Sequence, residues 1–234
     1  MTRPTLIACS HGTAFEDGRR AIRGLIGHVR AILPDVPVRE AFVDVQKPEI
    51  AEVVGEIAAS GSAVVVPLLL STGYHTRVDI ARAVRPFPHV LAAPALGPHD
   101  LLALVLEDRL TEAGLRSGDA IVLSAAGSSD PAAEADVRKM ALRMAHLLHG
   151  RVSVGFAAGA EPRIETAIAQ ARQAGARRVI AASYVLAPGH FANVIAEAGA
   201  DVVTAPLAPD LRIAALVAER YAAACAELSA GVRR

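Results

Sequence analysis

Residues 64–80 have the sequence VVVPLLLSTGYHTRVDI, and this stretch decides the predicted fold. The apolar run at its start predicts a fully buried strand, because it is too short to span a membrane and turn-forming residues follow it. His75 comes next, in a predicted loop before a short helix. Open α/β sheets bind ligands at the carboxyl ends of their strands, so this histidine marks a candidate site.

A related stretch lies 115 residues further along, where residues 179–190 read VIAASYVLAPGH. In this alignment His75 falls on His190. Only 5 of 20 residues are identical between 64–83 and 179–198, so the order of elements and the near-constant offset are the stronger signs of a repeat.

The same order of elements occurs in both halves, which predicts an α/β fold of two duplicated lobes. Each lobe is expected to hold a four-stranded parallel sheet flanked by helices. The predicted strands are 5–10, 38–44, 63–70, 90–93, 120–124, 151–156, 178–185 and 201–204. The predicted helices are 17–33, 48–60, a short one ending at 84, 99–113, 131–148, one starting at 162, and 209–228. We place the lobes at residues 1–116 and 117–234, with residues 116–119 as the linker.

Composition excludes several classes of protein. Apolar residues make up 53% of the chain and charged residues 21%, which is typical of a globular protein. The 24 basic and 24 acidic residues balance, so neither nucleic acid nor a membrane surface is an expected partner. No apolar stretch reaches the length of a membrane span, and the start of the chain has no signal core. Cys9 and Cys225 form no CxxC pair, which favours a reduced, cytoplasmic location.

Three polar residues stand at the ends of the first three predicted strands: His11, Asp44 and His75. The carboxyl ends of parallel strands lie on one edge of a sheet, so these side chains are expected to share that edge. Two imidazoles and a carboxylate can bind a divalent metal or accept protons near neutral pH. The alternative is that all three are ordinary polar loop residues.

Other motifs give weaker evidence of a function. Cys9 precedes the tip Ser10-His11, where a nucleophile is conceivable, but its alternation along the strand favours a buried structural cysteine. The glycines form neither a dinucleotide-binding nor a phosphate-binding loop, so nucleotide binding has no support.

Three segments resemble the sirohydrochlorin chelatase family, the small class II chelatases of sirohaem and cobalamin synthesis. Residues 6–13, LIACSHGT, are similar to its N-terminal strand and HGS/T tip. Residues 41–44, AFVD, with Pro48 resemble its AFLE…P segment. Residues 64–79 resemble its V-P-x-F-L-x-x-G-x-H-x-x-x-D segment. The histidine phosphatases match less well, because Ser10 stands where their tip has arginine.

The resemblance implies that His11 and His75 are catalytic and that they bind the metal together with Asp44, where the family usually has glutamate. In the second lobe Ala126 and Ala158 stand at the first histidine and acid positions. That lobe is therefore expected to be catalytically incomplete.

The family's substrate is an octacarboxylate held between the lobes, so polar residues near the strand ends are candidates to bind its carboxylates. These candidates are Ser10, Thr13, Ser71, Thr72, Arg77 and His190. Two of them have an ordinary alternative, Arg77 as a solvated helix residue and His190 as a loop residue that caps a helix.

The implied activity is that of a lyase that inserts Fe²⁺ or Co²⁺ into sirohydrochlorin. The metal is a substrate, and no organic cofactor is implied. Imidazole and carboxylate suit Fe²⁺, Co²⁺ and Ni²⁺ alike, so the choice of metal stays open. The alternative from another class is a non-catalytic tetrapyrrole or metal carrier with the same fold.

Overall fold

The computed structural model describes residues 3–73 and 75–231, with the backbone alone for residues 75–77. Two four-stranded parallel sheets, each flanked by helices, are present in this part of the chain, which confirms the predicted fold class. The strands are Thr5–Ser10 (β1), Val38–Phe42 (β2), Ala63–Pro67 (β3), Val90–Ala92 (β4), Ala120–Ala125 (β5), Val152–Phe156 (β6), Val179–Tyr184 (β7) and Val202–Val203 (β8).

The helices lie on the faces of the sheets, as crossover connections between parallel strands require. They are Glu16–Ile32 (α1), Ile50–Ala58 (α2), the π-helix His75–Ile80, Ala81–Val84 (α3), Asp100–Glu112 (α4), Pro131–Leu147 (α5), Ile164–Gln173 (α6), His190–Glu197 (α7) and Leu211–Gly231 (α8). None of the helices in the described part of the chain is both long enough and apolar enough to cross a membrane.

Both sheets have the same strand order. The first is β2-β1-β3-β4 and the second is β6-β5-β7-β8, so each begins its path on an inner strand. Every residue of β3 is buried, as the apolar run in the sequence predicts. The central strands pair in register with both neighbours, which aligns their carboxyl ends at one edge of each sheet. This edge is where a parallel sheet presents functional side chains.

The chain divides into compact units in a way that differs from the predicted lobes. One unit comprises the chain up to Leu96 together with the segment from Pro209 onward, and the other is Gly97–Ala208. Helix α8 packs against α1 and β3, whereas α4 packs against α5 and β7. The predicted boundary at 116/117 divides the chain by its sequence repeat, so it places α4 with the first lobe and α8 with the second.

Specific hydrogen bonds hold both helices in these units. In α8, Tyr221 donates its hydroxyl hydrogen to the carbonyl oxygen of Pro4 at 2.6 Å, and Arg220 Nε donates to that of Ala95 at 3.2 Å. In α4, Arg109 Nε donates to the carbonyl oxygen of Pro206 at 3.2 Å. The predicted linker, residues 116–119, is a hydrogen-bonded turn inside the second unit.

Several element boundaries differ from the prediction. Strand β2 ends at Phe42, so Asp44 lies beyond the strand and not at its last position. Strand β3 ends at Pro67, three residues before its predicted end. His75 and His190, predicted in loops, begin the π-helix and α7 respectively.

Candidate functional site

The loops that follow β1 and β2 meet at one edge of the first sheet. His11 comes directly after β1, and Asp44 lies two residues beyond the end of β2. The two strands are parallel neighbours, so their carboxyl ends lie side by side. The backbone N–H of Asp44 donates a hydrogen bond of 3.1 Å to the carbonyl oxygen of His11. The structure therefore brings together the backbones of two residues that the sequence places on this edge.

Gly12 makes this close approach of the two loops possible. Its φ is +90°, a left-handed conformation that side-chain-bearing residues rarely adopt. A Cβ atom at this position would lie 2.5 Å from the carbonyl oxygen of Asp44. Glycine is therefore required here both for its conformation and for its lack of a side chain.

The two side chains at this edge differ in exposure. The His11 ring is partly buried, and its Nδ1 lies 3.3 Å from the carbonyl oxygen of Gly12. Asp44 is exposed, and its Oδ1 accepts a 2.8 Å hydrogen bond from the N–H of Val45. This bond orients the carboxylate while its other oxygen stays available to a metal ion or a histidine.

Val45 has an unusual backbone conformation beside the candidate carboxylate. Its φ is +54°, which is a genuine outlier for a β-branched residue. The side chain is 55% exposed, so packing does not account for its presence. Outliers of this kind cluster at functional sites, where surrounding bonds hold the backbone in place.

Thr13, a predicted carboxylate-binding residue, is fixed by three hydrogen bonds. Its N–H donates to Gln46 Oε1 at 2.8 Å, and its carbonyl oxygen accepts from Arg19 Nε at 2.9 Å. Its Oγ1 accepts from the N–H of Phe15 at 3.2 Å. The hydroxyl keeps its own hydrogen for donation, so Thr13 retains the chemistry that the prediction requires.

The other predicted residues of the first unit fall into two groups. Ser10 is 5% exposed, whereas Ser71 and Thr72 are partly buried in the segment between β3 and the π-helix. The backbone of His75 begins that π-helix, so the chain enters it beyond the carboxyl end of β3. The side chains of His75 and Arg77 lie outside the described residues.

The second unit has the same backbone arrangement at its own sheet edge. The N–H of Ala158 donates to the carbonyl oxygen of Ala126 at 2.8 Å, just as Asp44 donates to His11. Gly127 follows Ala126 with a φ of +83°. The two alanines therefore occupy the backbone positions of the histidine and the aspartate, as the sequence alignment predicts.

His190 is placed differently from the predicted site residues of β1 and β2. It is exposed at the first position of α7, and its ring contacts Phe191 with centroids 5.2 Å apart. Ala126 and Ala158 provide neither imidazole nor carboxylate in the same unit. His190 can therefore contact an anion or a ring system, but its own unit supplies no partner for it at those two positions.

The chain contains two copies of one family pattern. The family model CbiX matches residues 5–113 and again residues 120–224. These two segments cover most of the chain and fall on either side of the turn at 116–119. The chain belongs to the CbiX family.

The relatives of this CbiX-family chain include proteins that are named as chelatases. It is 32% identical over 88 residues to a sirohydrochlorin cobaltochelatase of Methanothermobacter thermautotrophicus; the match covers 37% of this chain and 56% of that protein. SirB from Bacillus subtilis with Fe³⁺ shares the fold with a TM-score of 0.80 at 18% identity and 98% coverage of both chains. SirB from Bacillus subtilis subspecies spizizenii in complex with cobalt has a TM-score of 0.75 at 17% identity, with 98% of this chain and 97% of that chain covered.

Cys9 is poorly suited to act as a nucleophile in this CbiX-family chain. Burial and, to a smaller extent, the nearby Asp79 carboxylate together raise the pKa of its thiol to about 12. The thiol is therefore protonated at neutral pH, when only the thiolate is an effective nucleophile. This agrees with the structural role that the sequence predicts.

Sequence reasoning gave no role to two residues of these segments, Asp79 and Gln46. Asp79 lies in the π-helix near enough to Cys9 for its charge to act on the thiol, and its place as the last residue of the family-like segment 64–79 is the signal that could have given it a role. Gln46 gives no such signal, because its role depends on the meeting of two loops. Among the side chains that the structure describes, no three His, Cys, Asp or Glu groups gather in a way that could hold a metal ion. The predicted metal-binding set includes His75, which lies outside them.

Proposed function

We propose that this CbiX-family chain is a sirohydrochlorin chelatase, a lyase that inserts Fe²⁺ or Co²⁺ into sirohydrochlorin for sirohaem or cobalamin synthesis. The observation that carries the proposal is the placement of His11 and Asp44 on hydrogen-bonded loops at the carboxyl edge of the first sheet. An imidazole and a carboxylate are suitable ligands for both metals. The names of the relatives, a sirohydrochlorin cobaltochelatase and SirB with iron or cobalt, support the same chemistry.

Metal insertion needs groups that hold the ion and accept protons. One M²⁺ ion enters the macrocycle, two pyrrole N–H bonds break, and two protons leave, so the charge balances. We assign His11 and His75 to both tasks, since a neutral imidazole is either a ligand or a base near neutral pH. Asp44, oriented by the N–H of Val45, binds or attracts the metal or orients a histidine.

The carboxylates of the substrate require hydrogen-bond donors around this edge. Thr13, Ser71 and Thr72 are partly exposed there and carry hydroxyl hydrogens. We keep Arg77 and His190 as further carboxylate-binding residues. Ser10 contributes less than predicted in this proposal, because its side chain is buried.

The second unit shapes substrate binding in this proposal and does not carry out the insertion. Ala126 and Ala158 replace the histidine and the acid, and neither alanine side chain can bind a metal or accept a proton.

Both cysteines are free thiols, which supports the reduced environment of the cytoplasm.

The test is an anaerobic absorbance assay of the purified full chain with sirohydrochlorin and Fe²⁺, Co²⁺ or Ni²⁺ in turn. A chelatase converts many equivalents of sirohydrochlorin per chain, at a rate above the uncatalysed insertion. A carrier binds one equivalent and stops, and that result would overturn the proposal.

A further inference from the structure

Gln46 connects the two loops that carry the proposed metal-binding residues. It lies two residues after Asp44, and its Oε1 accepts a 2.8 Å hydrogen bond from the backbone N–H of Thr13, two residues after His11. The backbone N–H of Gln46 also donates to the carbonyl oxygen of Asp44 at 2.5 Å. The side chain therefore spans from the loop after β2 to the loop after β1.

The far end of this connection is itself anchored. The Thr13 carbonyl oxygen accepts from Arg19 Nε at 2.9 Å, and Arg19 is part of α1. The hydrogen bond from Asp44 to His11 lies on the other side of Gly12. Two ties thus flank the glycine, and together they fix the path of the backbone through the histidine and the aspartate.

The second unit has the backbone hydrogen bond between its loops and lacks the side-chain hydrogen bond. The backbone bond from Ala158 to Ala126 is present there at 2.8 Å. The position of Gln46 is taken by Ala160, whose side chain has no acceptor to offer the loop around Ser128. The side-chain tie therefore occurs in the unit that carries the imidazole and the carboxylate, and it is absent where alanines replace them.

We propose that Gln46 is a positioning residue for metal insertion, which holds the His11 and Asp44 loops at the spacing that a metal ion requires. This rests on the proposed function. Residues that orient metal ligands without touching the metal commonly change metal affinity about 10-fold to 100-fold when they are replaced. Gln46 acts in this way through the backbone N–H of Thr13, so its contribution depends on an acceptor oxygen at this position.

The first test replaces Gln46 with methionine, which has a similar shape and no amide. Co²⁺ alone is titrated into the purified full chain under anaerobic conditions, and kcat and KM for sirohydrochlorin are measured beside the thermal unfolding midpoint. Q46M should lower Co²⁺ affinity and kcat about 10-fold, at the lower end of the range for such residues, and leave the midpoint within a few degrees. Gln170→Met, the same change at an exposed position of α6, is the matched control and should change neither.

A double-mutant cycle separates positioning from a general structural effect. In the Asp44→Ala background Q46M should lower Co²⁺ affinity much less than in the natural chain, because the carboxylate that it positions is gone. Equal effects in both backgrounds would overturn the proposal, and so would a large fall in the unfolding midpoint of Q46M. Gln46→Glu keeps an acceptor oxygen, and a loss of Co²⁺ affinity in this variant equal to that of Q46M would also contradict it.

The same data distinguish failure of this inference from failure of the proposed function. If His11→Ala and Asp44→Ala bind Co²⁺ and turn over like the natural chain, the proposed site is wrong and the positioning role falls with it. If both are impaired while Q46M behaves normally, the site stands and the role of Gln46 alone is refuted.

Discussion

The two sheet edges of this protein have the same backbone arrangement but carry different side chains. In both units a glycine with positive φ follows the first strand, and a backbone hydrogen bond links the loops after the first and second strands. On this common frame the first unit carries His11 and Asp44, where the second has Ala126 and Ala158. The frame therefore belongs to the fold, and the chemistry depends on the few side chains that are placed on it.

The comparison also shows where the first unit departs from the conformation that its residue types favour. Val45 has a φ of +54°, whereas Gly159, at the matching position of the second unit, has +69°. Glycine adopts this conformation readily, and a β-branched residue does not. The unit with the candidate site thus keeps the less favourable residue, which is expected where backbone geometry serves function.

The largest effect is expected from removing the imidazoles of the first unit. His11→Ala and His75→Ala should each lower kcat about 100-fold or more, since each variant loses a residue that we propose as proton acceptor and metal ligand. Both variants should keep the circular dichroism spectrum of the natural chain. If both variants insert metal at rates near that of the natural chain, the assignment of the site to these histidines is wrong.

The next largest effect is expected from replacing Gly12, the glycine that lets the loops after β1 and β2 approach each other. Gly12→Ala should lower stability by roughly 1–3 kcal/mol, because it forces a side chain into a left-handed conformation. It should also lower kcat, since the added Cβ pushes the Asp44 loop away from His11. Denaturant unfolding and steady-state kinetics measure the two effects.

Gly127→Ala is the matched control for that change. It should destabilise the chain by at least as much, because Gly127 also has positive φ and an added Cβ would lie even closer to the Ala158 carbonyl oxygen than one at Gly12 would lie to that of Asp44. Its effect on kcat should be much smaller, since its unit lacks the imidazole and the carboxylate. An equal loss of kcat in both variants would contradict the difference between the units.

The sequence was sufficient to predict the fold class and the pairing of positions between the repeats. Short buried strands, alternating helices and a near-constant offset all reflect local periodicity, which is visible in one chain. The packing of α8 on the first unit and of α4 on the second was not predicted, because packing partners depend on apolar surfaces that meet only in three dimensions. The side-chain tie made by Gln46 escaped prediction for the same reason, since its partner Thr13 is 33 residues away.

Asp44→Ala should affect turnover less than loss of either histidine. Aspartate is shorter than the glutamate usual in the family, and its Oδ1 is already engaged by the N–H of Val45. A fall of about 10-fold in kcat is expected, at the lower end of the range for residues that orient or support metal ligands. A loss as complete as that of His75→Ala would instead assign Asp44 a direct ligand role.

Replacing Val45, the residue with the strained backbone conformation, is expected to change stability more than activity. Val45→Gly should raise the free energy of unfolding by roughly 1 kcal/mol, because glycine relieves the left-handed strain of an exposed valine. Gly159→Val should lower it by at least as much. Denaturant unfolding of the two reciprocal variants tests this, and a destabilised Val45→Gly would show that the conformation carries no strain.

The most direct test of the division of labour between the units compares His190→Ala with His75→Ala. Both residues begin a helix after the third strand of their repeat, but only the first unit supplies a second imidazole and a carboxylate at its matching positions. We expect His190→Ala to raise KM for sirohydrochlorin a few-fold and to keep most of kcat, which is the pattern of lost substrate binding without a lost chemical step. If His190→Ala loses kcat as completely as His75→Ala, the second unit takes part in metal insertion and the assignment of the chemistry to the first unit is wrong.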